Sequence, residues 1–369
     1  MPSTAEPKSL PMNPTNAPKS PAVTPRTGAI LVTGAGGEMG HALLRALHER
    51  YGVDRPIIGF DLRPLDQASS SHCTHAVAGD VADAAVAASL FDPALAGREI
   101  DEVWHLAALL STRSERDPAL AFKVNLGGSA QLLELAAQSG TRRGTPTLFM
   151  FPSTIAVYGM PSLEVKRAAG AIREDQFTQS ATVYGVHKHA VEELGRYAST
   201  TYRMLDAQRP AAGVLDFRAI RFPGIISADT VPTGGTSDYG PEMLHAAAQG
   251  KPYECFVRAD SRIPFMTMPD AVRSIMELAA TPRDRLSRTA YNVSAFAPSA
   301  EEIAAQVRVL FPQARISYAP NLLRQRIVDS WPEDCDDSAA RRDWGWSHEH
   351  DLPGAFRAYL GPVVCARYA

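Results

Sequence analysis

The sequence predicts an α/β protein, a doubly wound parallel sheet with a smaller lobe built from late segments. Three observations predict it. Short, continuously apolar runs alternate with helical spans through the first two thirds of the chain, the pattern of strands covered on both faces. A glycine-rich turn joins the first of these runs to the first helix. The last third alternates less regularly, which sets it apart from the sheet.

The elements follow in order. The opening stretch "MPSTAEPKSLPMNPTNAPKSPAVTPRT" is rich in Pro, Ser and Thr. It has too few large apolar side chains to offset its ordering entropy, so residues 1–27 are expected to be a disordered tail. A transit peptide suits it poorly, because Arg26 is its only arginine. "AILVT" is the first strand, then "HALLRALHER" a helix, with "PIIGFD", "HAVAGDV" and "DEVWHLAA" as the next strands. "DPALAFKVNLGGSAQLLELAAQSG" reads as a helical span ending at Gly140, followed by the strand "TLFMFPS". The helix "KHAVEELGRYASTTYRML" and the strand "DFRAIRF" complete the regular part. Beyond them come the helices "PDAVRSIMELAA" and "AEEIAAQVRVLF" and the run "ARISYAP". Between lies "PTGGTSDYG", Pro232 to Gly240, with no apolar periodicity; it is expected to be a polar loop just beyond a buried strand. There is no internal repeat.

Composition narrows the function. The chain has 369 residues, 45% hydrophobic and 21% charged, ordinary values for a globular enzyme. A net charge of -3 gives no reason to expect nucleic acid or a membrane surface as partner. Cys73, Cys255, Cys335 and Cys365 lie far apart with no CxxC pair, so they read as reduced cytoplasmic thiols. "HCTH" and "HEHD" hold His72, Cys73, His75, His348 and His350, but neither makes a complete ligand set, and no metal is expected.

The turn "TGAGGEMG" sets Gly34, Gly37 and Gly40 at GxxGxxG spacing after a strand and before a helix. Glycine lets the backbone approach a pyrophosphate, and the helix N-terminus faces its charge. A tight turn without a ligand is the plain alternative. Asp61 closes the next strand, where a carboxylate accepts both adenosine ribose hydroxyls and repels a 2′-phosphate; NAD is favoured over NADP. Arg63 nearby is the opposing signal. Asp80, in "GDV", falls near the adenine edge or serves as a turn carboxylate.

In "PSTIAVYG" and "TVYGVHK", Tyr184 and Lys188 are four apart at a helix start and share one face. An ammonium beside a phenol favours the phenolate, which then accepts an alcohol proton. An exposed helical pair is the commoner fate of this spacing. Here it follows a strand ending in Ser153 and Thr154, at the carboxyl edge where such sheets bind ligands.

These three motifs resemble the extended short-chain dehydrogenase/reductase superfamily, and from Gly28 to Leu352 the likeness narrows. "LAALLS", "RFPGIIS", "GGTSDYG", "YECF", "MPDAVRSIMEL", "ISYAP", "DSWP", "DDSAARRDWGW" and "HEHDL" resemble the short-chain type of L-threonine 3-dehydrogenase. The resemblance implies a Rossmann-type domain over 28–223 with a return segment near 263–296. A substrate-binding lobe would use 224–262 and 297–369. It implies NAD as cofactor, with contacts from Gly34, Gly37, Glu38, Met39, Gly40, Asp61, Asp80, Val81, Leu106, Ala107, Ala108, Asn125, Tyr184 and Lys188. It implies Thr154, Tyr184 and Lys188 as catalytic residues. It places Ser111, Thr154, Tyr184, Thr236, Asp238 and Trp331 around an amino-acid substrate, Trp331 as an apolar lid. A homodimer through the two long helices is expected, and a cytoplasmic location.

The implied reaction is oxidation of the β-hydroxyl of a β-hydroxy-α-amino acid. Ser114, Ser237 and Thr267 depart from the family's usual residues, and the segments "EVKRAAGAIREDQFTQSA" and "TTYRMLDAQRPAAGVLDF" look longer. A substrate bulkier than threonine, such as an aryl serine, is therefore an alternative within the family. A sugar-nucleotide epimerase or dehydratase shares the motifs, but Pro223 and Gly224 stand where an asparagine would hold the nucleotide phosphate. A non-catalytic NAD-binding sensor is the third reading.

Overall fold

In the computed structural model, residues 26–207, 213–232 and 235–368 are described. Most of the expected tail and part of the second expanded segment lie outside them, as do Thr233 and Gly234 of the glycine loop.

The strands are β1 (Ala29–Thr33), β2 (Ile57–Asp61), β3 (His75–Ala78), β4 (Ile100–His105), β5 (Thr147–Thr154), β6 (Ala171–Ile172), β7 (Leu215–Phe222), β8 (Gly224–Ile226), β9 (Tyr253–Cys255), β10 (Phe265–Thr267), β11 (Ala290–Asn292), β12 (Ile316–Tyr318) and β13 (Asp334–Cys335). Seven form one parallel sheet in the order β11-β7-β5-β4-β1-β2-β3. The order reverses between β1 and β4, the switch point at which such sheets open a crevice for ligands. This is the doubly wound parallel sheet expected from the alternation, and the Rossmann-type fold implied by the resemblance.

Two apolar clusters line the faces of the sheet. Ile30, Val32, Trp104 and Met150 pack on one side with the Glu38–Tyr51 and Met268–Ala280 helices. Leu31, Val103, Phe149 and Phe217 pack on the other with Ser129–Arg143 and Val183–Thr200. A third cluster gathers Ile226, Tyr239, Phe256, Phe265, Ile303, Trp331 and Phe356 from the late segments.

The boundary expected at 223 is crossed early. Met160 and Ile172 belong to the third cluster, and β6 pairs with β13 in a separate small sheet. The extra length before Tyr184 is thus spent on joining the late segments. The helix expected to stop at Gly140 runs to Arg143, where Gly144 caps it in the left-handed region at φ 68°. Gly140 is glycine for another reason: a Cβ there would lie 2.0 Å from the Val214 carbonyl oxygen. Tyr239 and Gly240, expected in the loop, already open the helix Tyr239–Ala248.

Candidate active site

The glycine turn lies at the carboxyl end of β1. Gly34 has φ +69°, and a Cβ on it would meet the Ala107 backbone nitrogen at 2.6 Å; one on Gly40 would meet the Gly34 carbonyl oxygen at 2.4 Å. Gly37 is the N-cap of Glu38–Tyr51 and offers no side-chain cap, so the first-turn N–H groups are left for an anion. Asp61, at the end of β2, accepts the Gly36 N–H at 3.0 Å and keeps further lone pairs for ribose hydroxyls. A pyrophosphate and a ribose fit these groups. Asp80 accepts the Ala82 N–H at 2.9 Å, a turn role. The Thr230 hydroxyl donates to the Glu38 carboxylate, which therefore faces the late segments. Met39 is half-buried and Val81 buried.

Leu106, Ala107 and Ala108 extend β4 past its end, with the Leu106 N–H on the Thr33 carbonyl at 3.0 Å. Asn125 sits in a π-helical turn, Phe122–Gly128, a local winding frequent at functional sites. Its carboxamide accepts the Leu109 N–H at 2.7 Å and donates to the Leu109 carbonyl at 2.9 Å. The Ser114 hydroxyl donates to the same carbonyl at 2.9 Å. Asn125 as placed therefore shapes the 106–110 turn, with its polar atoms already spent there.

Thr154 ends β5, and its hydroxyl accepts the Ala156 N–H at 3.1 Å. Thr182 caps the Val183–Thr200 helix, which brings Tyr184 and Lys188 to this edge. The Lys188 ammonium donates to the Pro152 carbonyl at 2.6 Å and lies 4.2 Å from the Phe151 ring centre and 5.7 Å from that of Tyr184. Burial raises the Tyr184 phenol above its ordinary value. Burial also lowers Lys188, to about 7, against the opposing carboxylate of Glu192. Ser153 points away from this edge, its hydroxyl donating to Glu192.

Ser111 opens the Ser111–Arg116 helix. Its hydroxyl lies 2.9 Å from that of Thr236, and both residues are buried. Two residues 125 apart in sequence thus meet at the glycine loop. Asp238 accepts the Gly235 N–H at 2.6 Å and shapes that loop. Arg324, unremarked in the sequence, donates to the Gly235 carbonyl and lies over the Phe256 ring. Trp331 is only 5% exposed. It packs in the third cluster, and its indole nitrogen is buried with no hydrogen-bond partner among the described residues.

Residues 30–294 match the family described as NAD dependent epimerase/dehydratase. The chain belongs to that family. It is 35% identical over 324 residues to the mitochondrial L-threonine 3-dehydrogenase of Bos taurus, covering 88% of this chain and 79% of that one. The holo form of the GalE-like L-threonine dehydrogenase of Cupriavidus necator superposes with a TM-score of 0.78 at 33% identity, over 92% of this chain and 100% of that one. A monomeric L-threonine 3-dehydrogenase from a metagenome gives 0.79 at 33% identity, with the same coverage. The family makes this chain an NAD-dependent oxidoreductase with a threonine-dehydrogenase-like sequence and fold.

Within the epimerase/dehydratase frame, Arg221 and His105 escaped the motifs. Arg221 on β7 binds Glu192 through contacts of 2.6 to 3.2 Å. It also donates to the Tyr158 hydroxyl at 3.0 Å and the Glu174 carbonyl at 2.7 Å. His105 is fully buried between the hydroxyls of Thr33, at 2.7 Å, and Ser129, at 2.8 Å. The available signal was a charge inside an otherwise apolar strand, in "DFRAIRF" and "DEVWHLAA". Thr267 is a fully buried helix cap bonded to Asp270. Asp270, Glu349 and His350 approach one another. Asp270 already accepts from Thr267, Arg273 and the Glu349 N–H, as an anchor for the "HEHD" segment. A cavity of about 990 Å³ lined by Gly28, Asp101, Thr145 and Asp216 lies at the opposite edge of the sheet. Open α/β sheets bind at the carboxyl edge, so the geometry at Thr154 outweighs that volume.

Proposed function

We propose that the protein oxidises the β-hydroxyl of a β-hydroxy-α-amino acid to a 2-amino-3-oxo acid, with release of NADH. The observation that carries this reading is the Val183–Thr200 helix laid across the end of β5, with Lys188 on the Pro152 carbonyl beside Thr154. Bound NAD supplies the hydride acceptor. Tyr184 takes the hydroxyl proton, and Thr154 holds the substrate oxygen. Lys188 favours the phenolate against the burial that raises it. Ser111 and Thr236 present paired hydroxyls to the substrate's carboxylate, and Asp238 faces its ammonium. The product, a β-keto acid, tends to decarboxylate in solution.

The third cluster serves in this reading as the substrate-binding lobe, and the four unpaired thiols suit a cytoplasmic enzyme. An aryl serine as substrate is a refinement. Thr267 and Ser114 spend their hydroxyls on internal contacts, so Ser237 is the departure that supports it. The test follows NADH formation with L-threonine, L-allo-threonine and L-threo-phenylserine, with UDP-glucose as contrast. Steady release with an amino acid supports the reading, and a clear preference for L-threonine sinks the refinement. Conversion of UDP-glucose without net NADH would move the protein to the epimerases.

A further inference from the structure

Tyr184, Lys188 and Glu192 recur every four residues along one face of the Val183–Thr200 helix. The first two face the reacting edge. The third is only 2% exposed, and the mechanism above gives it no part. Its surroundings are specific. Lys188 holds the Pro152 carbonyl and Glu192 accepts from the Ser153 hydroxyl, so one helix face grips the two residues that precede Thr154. In the parallel register of β5 and β7, Ser153 lies opposite Arg221, and Arg221 is the residue that binds both oxygens of Glu192. Arg221 has no freedom of its own, because Tyr158 and the Glu174 carbonyl take its other nitrogen, and the Tyr158 hydroxyl donates to Asn292 at 2.6 Å.

We propose that Glu192 is a positioning residue for the reaction, fixing through Ser153 and Arg221 the rotation of the helix that presents Tyr184 and Lys188 to Thr154. The inference rests on the reading of Tyr184 and Lys188 as the catalytic pair. A purely stabilising role is the weaker account, since buried ion pairs often add little net stability. Position is another matter. The helix lies so close to β7 and to the turn after β5 that a Cβ at Gly185 would sit 1.8 Å from the Ala156 carbonyl oxygen, and one at Gly195 2.3 Å from the Phe217 ring. Close packing at these two glycines therefore sets its distance, and the polar contacts of Glu192 set its rotation. Glu192 also supports the charge of Lys188. The other groups around that ammonium are the Tyr184 phenol, the Phe151 ring, the Pro152 carbonyl and His105, which burial keeps neutral near neutral pH.

The experiment compares the full-length wild type with Glu192→Gln, Glu192→Asp, Ser153→Ala and Tyr184→Phe, using the amino acid the wild type oxidises. Glu192→Gln is expected to lower kcat about 10- to 100-fold while leaving KM for NAD within about 3-fold. Loss of the supporting carboxylate lowers Lys188 further, so the basic limb of the pH–rate profile should move down by about one pH unit. Glu192→Asp should restore that limb in part. Ser153→Ala removes the same grip without touching a buried charge, and should cost about 3- to 10-fold in kcat with no shift of the limb. A crystal structure of Glu192→Gln should show Tyr184 displaced relative to Thr154. An unchanged pH profile in Glu192→Gln, with kcat falling only as folded protein is lost, overturns the inference. Turnover retained by Tyr184→Phe overturns the reading of the site instead, and the two failures are thus separate.

Discussion

Asp61 makes the clearest single-residue claim. Its carboxylate is half-exposed at the end of β2, held in place by the Gly36 N–H. Hydrogen bonds from neutral ribose hydroxyls to a charged acceptor are worth about 1.5–3 kcal/mol. Asp61→Ser should therefore raise the dissociation constant for NAD roughly 10-fold or more and narrow the preference over NADP. Parallel titrations with both dinucleotides measure it, and an unchanged ratio would remove Asp61 from the ribose site. His105 makes a second claim, about stability. Burial holds it down to about 3, whereas an unfolded chain takes up the proton near 6.5. Between those values the unfolded state binds more protons, so stability falls as the solution is acidified. The slope is up to about 1.4 kcal/mol per pH unit. Melting the wild type and His105→Asn from pH 6.5 to 4 should show the steeper decline in the wild type, and equal slopes would refute it.

At the scale of elements, the close approach of the Val183–Thr200 helix is the feature most exposed to test. With the Ala156 oxygen 1.8 Å from any Cβ at position 185, Gly185→Ala must push the helix outward. A loss of about 1–3 kcal/mol follows from such overpacking, with most of kcat, because Tyr184 and Lys188 move together. Val186→Ala next to it is half-exposed and should melt as the wild type does, so matching melts for both variants would refute the steric argument. The short helix Leu163–Ala169 gives a prediction of opposite sign. Lys166 is 1% exposed and donates to the Val328 carbonyl at 2.9 Å, and burial lowers it to about 8. The unfolded chain keeps that proton up to about 10.5, so stability rises with pH between 8 and 10.5. Removing the buried charge with Lys166→Met recovers up to about 3 kcal/mol, against about 1 kcal/mol for the orphaned carbonyl. A raised Tm near pH 7, and a flatter pH dependence above 8, are expected; a lower Tm would show the lysine to be net stabilising. No local pattern signals this. "EVKRAAGAIREDQ" shows locally only as extra length, and the partner of its buried lysine, the Val328 carbonyl, lies 162 residues away in the chain.

Across the whole molecule, legibility followed the range of the interactions. The sheet could be read because each strand is a local apolar run, and the placement of the candidate residues Gly34, Asp61, Thr154 and Tyr184 because they stand at strand ends or helix starts, where local rules apply. What could not be read depends on distant partners: Arg221 meeting Glu192 and Asn125 turning to Leu109, whereas the meeting of Ser111 and Thr236 was implied by the family resemblance and not by local pattern. Trp331 shows the limit, since the same buried side chain serves as lobe core or as cleft wall according to what faces its indole nitrogen. Oligomerisation belongs to the same class. Val186 and Tyr197, eleven residues apart, share one face of their helix, and both are exposed, as are Leu194 and the neighbouring Phe122. Exposed apolar side chains gathered on packed neighbouring helices are what an association surface would present. A two-fold pairing of this face is the simplest closed arrangement. One relative is described as monomeric, so the surface rather than the family must decide. The wild type should sediment as a dimer at micromolar concentration. Val186→Glu with Tyr197→Lys should shift it to the monomer while circular dichroism shows the fold retained, and the Tm should lose its dependence on protein concentration. A wild type that sediments as a monomer would assign these side chains to the ordinary apolar share of an enzyme surface.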